Sequence, residues 1–356
     1  MPADIQVRPR AEIAREKWDE FVDASDEAWL WHRSDFIDAL ELWPGYSEAS
    51  FALVDGRDAI LAAMPMHRTV VRAAGVVPLA RFSSLGGPAC AANMPASMRS
   101  NVLAALHEHL LQSVTERKVL AAEVQIAPLT PSLHGPAAAK VNPLILAGFE
   151  NTQTETWMVD LTRPAAEIRK HYSELTRREL RKASQGELRV REAAGAKDLD
   201  IYYRLHLETY SRTGAKPHPL EYFQAIFEKF QPRGLARILF AERRGDVVAA
   251  QNTGRYKAGA VYWTGASDTI KEGGENRILF DAQIMAAHED GFTRYETGQA
   301  FVNSRNAKDS GLSRFKRSFG ADIYPYYRGV LQSPRSSFRI LSGLRKMLQT
   351  VGDAGA

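Results

Sequence analysis

Two stretches of this chain run through the same order of elements, about 190 residues apart, and that order restricts the folds open to it. In the first, Phe51-Ala-Leu-Val-Asp-Gly-Arg-Asp-Ala-Ile-Leu-Ala-Ala-Met reads as two strands around a turn at Asp55-Gly56. Asp-Gly between apolar runs is a hairpin signal, because both residue types tolerate positive φ. A third strand near Arg81-Phe82-Ser83 leads into Gly86-Gly87-Pro88. A helix with Leu103, Leu106, Leu110 and Val114 on one face follows, and a strand from Val119 to Ile126 closes the set. In the second stretch, Arg237-Ile-Leu-Phe-Ala-Glu and Val247-Val-Ala-Ala-Gln flank a turn at Arg243-Arg-Gly-Asp246. The third strand is Ala260 to Ser267. A loop, Glu272-Gly-Gly-Glu-Asn276, opens a helix that carries Ile278, Ala282, Met285 and Ala286 inward. Gly291 stops that helix, and Phe292 to Thr297 is the closing strand. Each half reads β-turn-β-β-loop-α-β, so the expected fold is α/β with mixed sheets, in two copies.

The length of 356 residues suits two domains, and 45% hydrophobic with 25% charged residues is ordinary globular composition. The reading divides the chain into 1–150, 151–320 and a C-terminal strand and basic helix over 321–356. One cysteine, Cys90, excludes an intrachain disulfide and a cysteine zinc cluster. The N-terminal MPADIQVRPRAEIAREKWDEF has no apolar core, and no apolar run reaches membrane-span length, so a cytoplasmic location is expected. The net charge of +4 favours an anionic ligand or surface without requiring one.

Between the copies, Pro164 suits a helix start, and Ile168, Tyr172 and Leu175 share a face. Arg177, Arg178, Arg181 and Lys182 cluster there, which is commonly a solvated helix face and otherwise a surface for an anionic ligand or RNA. A loop before a helix offers backbone N–H groups to anions. Here Glu272 and Glu275 oppose a pyrophosphate, and a turn capped by Asn276 is the competing reading. His107 and His109, two apart on one helix, face different sides and do not form a metal clasp, so they read as surface residues. His32 reads as part of a helix start packed in the first domain. Cys90, in a Gly/Ala segment, is a poor nucleophile candidate.

The end of the second copy is more distinctive. Tyr262-Trp-Thr-Gly-Ala-Ser267, Asn276-x-x-Leu279, Tyr295-Glu-Thr-Gly298 and Phe315-Lys-x-x-Phe-Gly320 occur in that order. In this the chain resembles the Fem-type peptidoglycan aminoacyltransferases and their BioF-like relatives in the GCN5-related N-acetyltransferase (GNAT) superfamily. The resemblance covers roughly residues 155–325, and the first half only by element order. It implies tandem GNAT-like domains, each a twisted and mostly antiparallel sheet flanked by helices, with the site in the second. It implies further that the strand from about Ile323 to Leu331 returns to the first domain. Lys316 falls on the motif lysine, which contacts acceptor phosphates near the reaction centre. Tyr262 falls where the family has an aromatic facing substrate. Phe315, Asn276, Arg212 and Tyr222 complete the expected binding set. The long coiled-coil arm of Fem proteins is absent, which puts tRNA handling in doubt.

The expected reaction is attack of an amine on a thioester or aminoacyl ester. The donor would be acyl-CoA or aminoacyl-tRNA, used as a substrate with no tightly bound cofactor, and the acceptor an anionic cell-wall or polysaccharide precursor. Lys316 would balance the oxyanion or acceptor phosphate. Glu296 or Gln299 would position the amine, with Glu296 also available as a base. The alternative is a non-catalytic GNAT-like module that binds an anionic glycan or nucleotide precursor. The segment Phe338 to Leu348, flanked by Arg335, Arg339, Arg345 and Lys346, reads as a basic amphipathic helix. It either docks on its own domain or makes peripheral contact with the inner face of a membrane.

Overall fold

The structure, a computed structural model, describes residues 5–73, 77–117, 119–136, 138–268, 273–302 and 304–334. Along the chain come β1 (Gln6–Pro9), α1 (Arg15–Ala24), α2 (Ser34–Glu41), β2 (Tyr46–Glu48), β3 (Phe51–Val54), β4 (Ile60–Met64), β5 (His67–Ala73), β6 (Val77–Ser84), β7 (Ala89–Cys90), α3 (Ala96–Glu116) and β8 (Ala121–Gln125). Next come α4 (Pro143–Leu146), β9 (Glu150–Asn151), β10 (Thr154–Asp160), α5 (Ala165–His171), α6 (Glu174–Gln185), β11 (Leu188–Glu192), α7 (Ala196–Thr213) and α8 (Leu220–Ala225). Then follow β12 (Ala236–Arg243), β13 (Asp246–Tyr256), β14 (Gly259–Ser267), α9 (Glu275–Glu289), β15 (Arg294–Ala300), α10 (Ala307–Arg317), β16 (Asp322–Tyr326) and β17 (Arg328–Gln332). The amphipathic segment from Phe338 lies outside the described residues, as does Glu272.

The chain forms two compact units. One comprises residues up to Ala127, Gly135–Gln153 and the chain from Tyr327; the other comprises Pro128–His134 and Thr154–Tyr326. In the first unit a six-stranded sheet has the order β2-β5-β6-β8-β17-β9, and in the second a seven-stranded sheet has the order β11-β12-β13-β14-β15-β10-β16. Six strands of each match in order and in sense. β5 is antiparallel to β6 as β13 is to β14, and β6 and β8 are parallel as β14 and β15 are. α3 links the parallel pair in one sheet and α9 in the other.

The repeat is therefore present, but its register differs from the sequence reading. β3 and β4, expected to match the second hairpin, sit in a separate four-stranded sheet of order β1-β3-β4-β7. The counterpart of β12–β13 is β2–β5, with β3–β4 inserted between its strands. The hairpin signal at Asp55 is local, whereas sheet membership is set by distant pairing. The turn itself also departs from an Asp-Gly geometry. Positive φ falls on Asp58 rather than Gly56, and the Asp55 carboxylate accepts hydrogen bonds from the backbone N–H groups of Arg57 and Ala59. In the second unit the two-residue turn carries positive φ at Arg244 and Gly245, as expected of a tight hairpin.

The helical stretch after Pro164 divides into α5 and α6 before β11, with Ile168 and Tyr172 buried and Leu175 exposed. Pro164 caps α5 rather than opening it. α9 buries Leu279, Phe280, Gln283, Ile284, Met285 and Ala287, a face rotated from the one centred on Ile278 and Ala282. Gly291, at φ 81°, follows its last turn. Phe280 stacks on Phe319 with centroids 5.0 Å apart, and Phe315 and Tyr262 pack against Phe280 at 5.3 and 4.8 Å. Phe319 is wholly buried and also meets Tyr172 edge-on. Gly320 has φ 70°, and a Cβ there would stand 2.7 Å from that of His171, so glycine lets α10 end against α5. Phe319→Ala is expected to lower stability by about 3–5 kcal/mol, read as a shift in the urea midpoint, because it empties the centre of this aromatic cluster.

Candidate active site

The parallel pairing of β14 with β15 covers only Gly259–Val261 against Arg294–Glu296. Both strands run on, to Ser267 and Ala300, so a gap opens between them. Each strand is irregular at this point. The ladder from β13 to β14 shifts register between Asn252 and Thr253, which leaves Trp263 as an extra residue. The ladder from β10 to β15 shifts between Trp157 and Met158, which leaves Thr297 as an extra residue. Such bulges re-aim side chains beside functional sites.

Lys316 of α10 fills the β15 side of this gap. It is 7% exposed, and a Cβ on Gly298 would lie only 2.7 Å from its Nζ. Gly298 itself has φ 106°, which a residue with a side chain rarely adopts. Nζ also lies 5.8 Å from the centre of the Phe301 ring. Burial pulls the Lys316 pKa down to about 8, and the charge of Glu296 opposes that fall. Glu296 is 6% exposed and accepts a 2.7 Å hydrogen bond from the Thr156 hydroxyl on β10. Lys316 is thus a buried amine poised near neutrality, seated on a glycine of the next element.

Of the residues expected from sequence, the structure gathers Lys316, Phe315 and Tyr262 around α9 and α10, with Glu296 close behind. Tyr262 lies along its own strand with its hydroxyl over Gly265, and burial raises its pKa to about 12. Gln299 is half-buried on β15, in register with Thr156. Asn276 is the second residue of α9 and not its cap, which is Gly274. Arg212 and Tyr222 are carried to the α7 and α8 side of β14. Arg212 donates to the Ser267 carbonyl at 2.8 Å, and the Tyr222 hydroxyl accepts from the Trp263 indole at 3.0 Å. The bulge explains this separation, since Trp263 faces α8 and Thr264 bonds Tyr202 of α7, while Tyr262 faces α9.

Glu275 does not project into a loop. It is the first residue of α9, 4% exposed, with Oε2 3.6 Å from Arg243. Its negative charge in the first turn of the helix disfavours a second anion there. Sequence reasoning passed over Thr156 and Phe280, and gave Gly298, though part of the Tyr295–Gly298 motif, no role in the site. Only Gly298 left a signal, as a glycine inside a strand. His107 is not a surface residue, since its Nδ1 lies 3.1 Å from the Ala147 carbonyl; His109 packs on Phe51. In the first unit, Gly86 lies hard against the His32 ring, which also meets the Gly87 carbonyl at 3.1 Å. Burial pushes the Cys90 thiol up to about 12, which leaves it unreactive. Among the described residues no group of side chains is arranged to hold a metal ion, and no helix is long and apolar enough to cross a membrane.

Residues 169–317 match the family of the acetyltransferase (GNAT) domain, a stretch that holds β11 to β15, α9 and α10 of the second unit. Over that stretch the chain is similar to GNAT acetyltransferase domains. No curated protein matches the chain. Among solved structures, FemX aligns over 90% of this chain and 96% of its own, with TM-score 0.67 and 14% identity. L-PGS from Bacillus licheniformis aligns over 92% and 96%, with TM-score 0.58 and 15% identity. A tandem GNAT protein from the clavulanic acid biosynthesis pathway aligns over 94% and 100%, with TM-score 0.52 and 13% identity. At these identities the likeness is one of fold.

The Lys316 shift carries a stability consequence. Its pKa is lowered on folding, so between about 8 and the ordinary 10.5 the unfolded chain holds a proton that the folded chain has released. Stability therefore gains from this group as pH rises through that window. Urea midpoints of the wild type and Lys316→Met, compared from pH 7 to 10, should show that gain in the wild type alone; equal slopes would place the amine in water.

Proposed function

We propose that the second unit transfers an acyl or aminoacyl group to an amine on a cell-wall or polysaccharide precursor. One observation carries this reading: the buried amine of Lys316 sits on Gly298 where β14 and β15 part. A gap between parallel strands admits the end of an extended donor, and its edges offer backbone groups outside the ladder. Attack of an amine on a thioester or ester carbonyl builds negative charge on the carbonyl oxygen. A cation in a partly dry site offsets that charge better than one in water. Lys316 fits this role, as its lowered pKa reflects such a site. Glu296 supplies a buried carboxylate close enough to hold Lys316 charged and to take the proton that the attacking amine must lose. The proton then leaves with the donor's thiolate or hydroxyl, so no covalent enzyme intermediate is needed.

The donor is an acyl-CoA or an aminoacyl-tRNA in this reading. Glu275 weighs against a pyrophosphate at the start of α9, because its carboxylate stands there already. The fold neighbours include proteins described as FemX and as a putative lysylphosphatidylglycerol synthetase, which supports amine or lipid-linked acceptors without selecting one.

The test is turnover by the purified chain with acyl-CoAs or charged tRNAs against UDP-linked muropeptide and amino sugars. Lys316→Ala should lower kcat about 10²–10³-fold while the fold persists by circular dichroism. Binding without turnover in every pairing would instead support a non-catalytic module.

A further inference from the structure

A concavity of about 740 Å³ lies in the same unit, with Phe315 in its wall. Its walls include Ser173 at the start of α6, Arg277 of α9, Arg314 and Arg317 of α10, and Asp322. Ser318 fixes this corner: its carbonyl accepts from the Ser173 N–H at 2.8 Å, and its hydroxyl accepts from Thr176 at 2.9 Å. The floor is therefore set, whereas the arginines that line the pocket are only loosely engaged. Arg314 and Arg317 form no ion pair among the described residues; the Arg317 guanidinium only covers the Trp157 ring at 5.5 Å. Arg277 reaches Glu179 at a loose 3.5 Å, lies over the Phe315 ring at 5.3 Å, and keeps a buried Nε without a hydrogen-bond partner. Three arginines and one carboxylate, Asp322, thus line an open pocket. Planar guanidinium forks suit phosphate oxygens in a two-pronged contact.

The positive charge continues beyond the pocket. α6 begins on its rim and exposes Arg177, Arg178, Arg181 and Lys182, none of which forms an ion pair among the described residues. By contrast, the start of α9 carries the buried carboxylate of Glu275 beside Arg243.

We infer that this pocket binds the phosphate groups of the acyl donor's carrier, through Arg277, Arg314 and Arg317, with α6 accepting any longer phosphate chain. The identity of the ligand as a donor rests on the acyl-transfer reading; the pocket's affinity for phosphate does not. Phe315 forms a wall of the pocket and Lys316 follows it, so a carrier held here can extend its acyl end toward the strand gap.

Calorimetry with the full chain separates the cases, using coenzyme A, uncharged tRNA and inorganic pyrophosphate at two salt concentrations. The double variant R314A/R317A should weaken whichever carrier binds by about tenfold or more and raise the donor KM, leaving the acceptor KM in place. If tRNA is the carrier, R178A/R181A should also weaken it and lessen its salt dependence; if coenzyme A is the carrier, that pair should have little effect. Equal affinity of wild type and R314A/R317A for the bound carrier would overturn the inference. If no acyl transfer is found with any donor, the functional reading fails, and pyrophosphate still decides the pocket: binding lost in R314A/R317A supports a phosphate site, and absence of binding to the wild type overturns it.

Discussion

The second unit is organised around a place where a sheet stops pairing. Three residues of β14 meet three of β15, and beyond Val261 and Glu296 the strands go separate ways. Unpaired backbone inside a protein is unfavourable unless something else occupies the space. α10 answers this need by laying Lys316 over Gly298, and the same helix and the turn after it send Phe315 and Phe319 into the aromatic cluster beneath α9. One helix thereby carries both the buried charge and its packing support. A buried amine is tolerated because Glu296 stands near it, and Glu296 is in turn held by Thr156 from β10. The chain of dependence runs from a strand gap, to a glycine, to a lysine, to a carboxylate, to a hydroxyl on the adjoining strand.

Much of this was legible in the residues, though unevenly. The two-copy plan followed from hairpin, loop and helix signals, and β12 to β15 fall close to where those signals put them. The first copy was read one hairpin out of step. Phe51 to Met64 has a stronger local signature than Tyr46–Glu48 and His67–Ala73, which are the strands that join the main sheet. Local turn chemistry announces that a hairpin exists but not which sheet it enters.

The candidate site shows the same limit. Phe315, Lys316, Phe319 and Gly320 sit together in sequence, and their spacing on one helix end made them visible. Tyr222 and Arg212 were grouped with them only through the family resemblance. A bulge at Trp263 sends the α8 contacts to the opposite side of β14, and no sequence pattern marks that bulge. Thr156 was equally hidden, since its bond to Glu296 spans 140 positions of chain. Glu275 was read as an exposed charge in a loop, but it is buried, because the helix begins at that residue and Arg243 lies beside it.

The six-stranded sheet of the first unit takes β17, residues 328–332, between β8 and β9. Those neighbours are complete by residue 151, yet the strand that joins them is encoded after the whole second unit. During synthesis, then, the first unit emerges from the ribosome with two open edges and waits through about 175 further residues before it can close. The second unit has all seven of its strands by residue 326 and needs nothing later. The order of maturation is thus inverted relative to the order of translation: the half made second can be finished first.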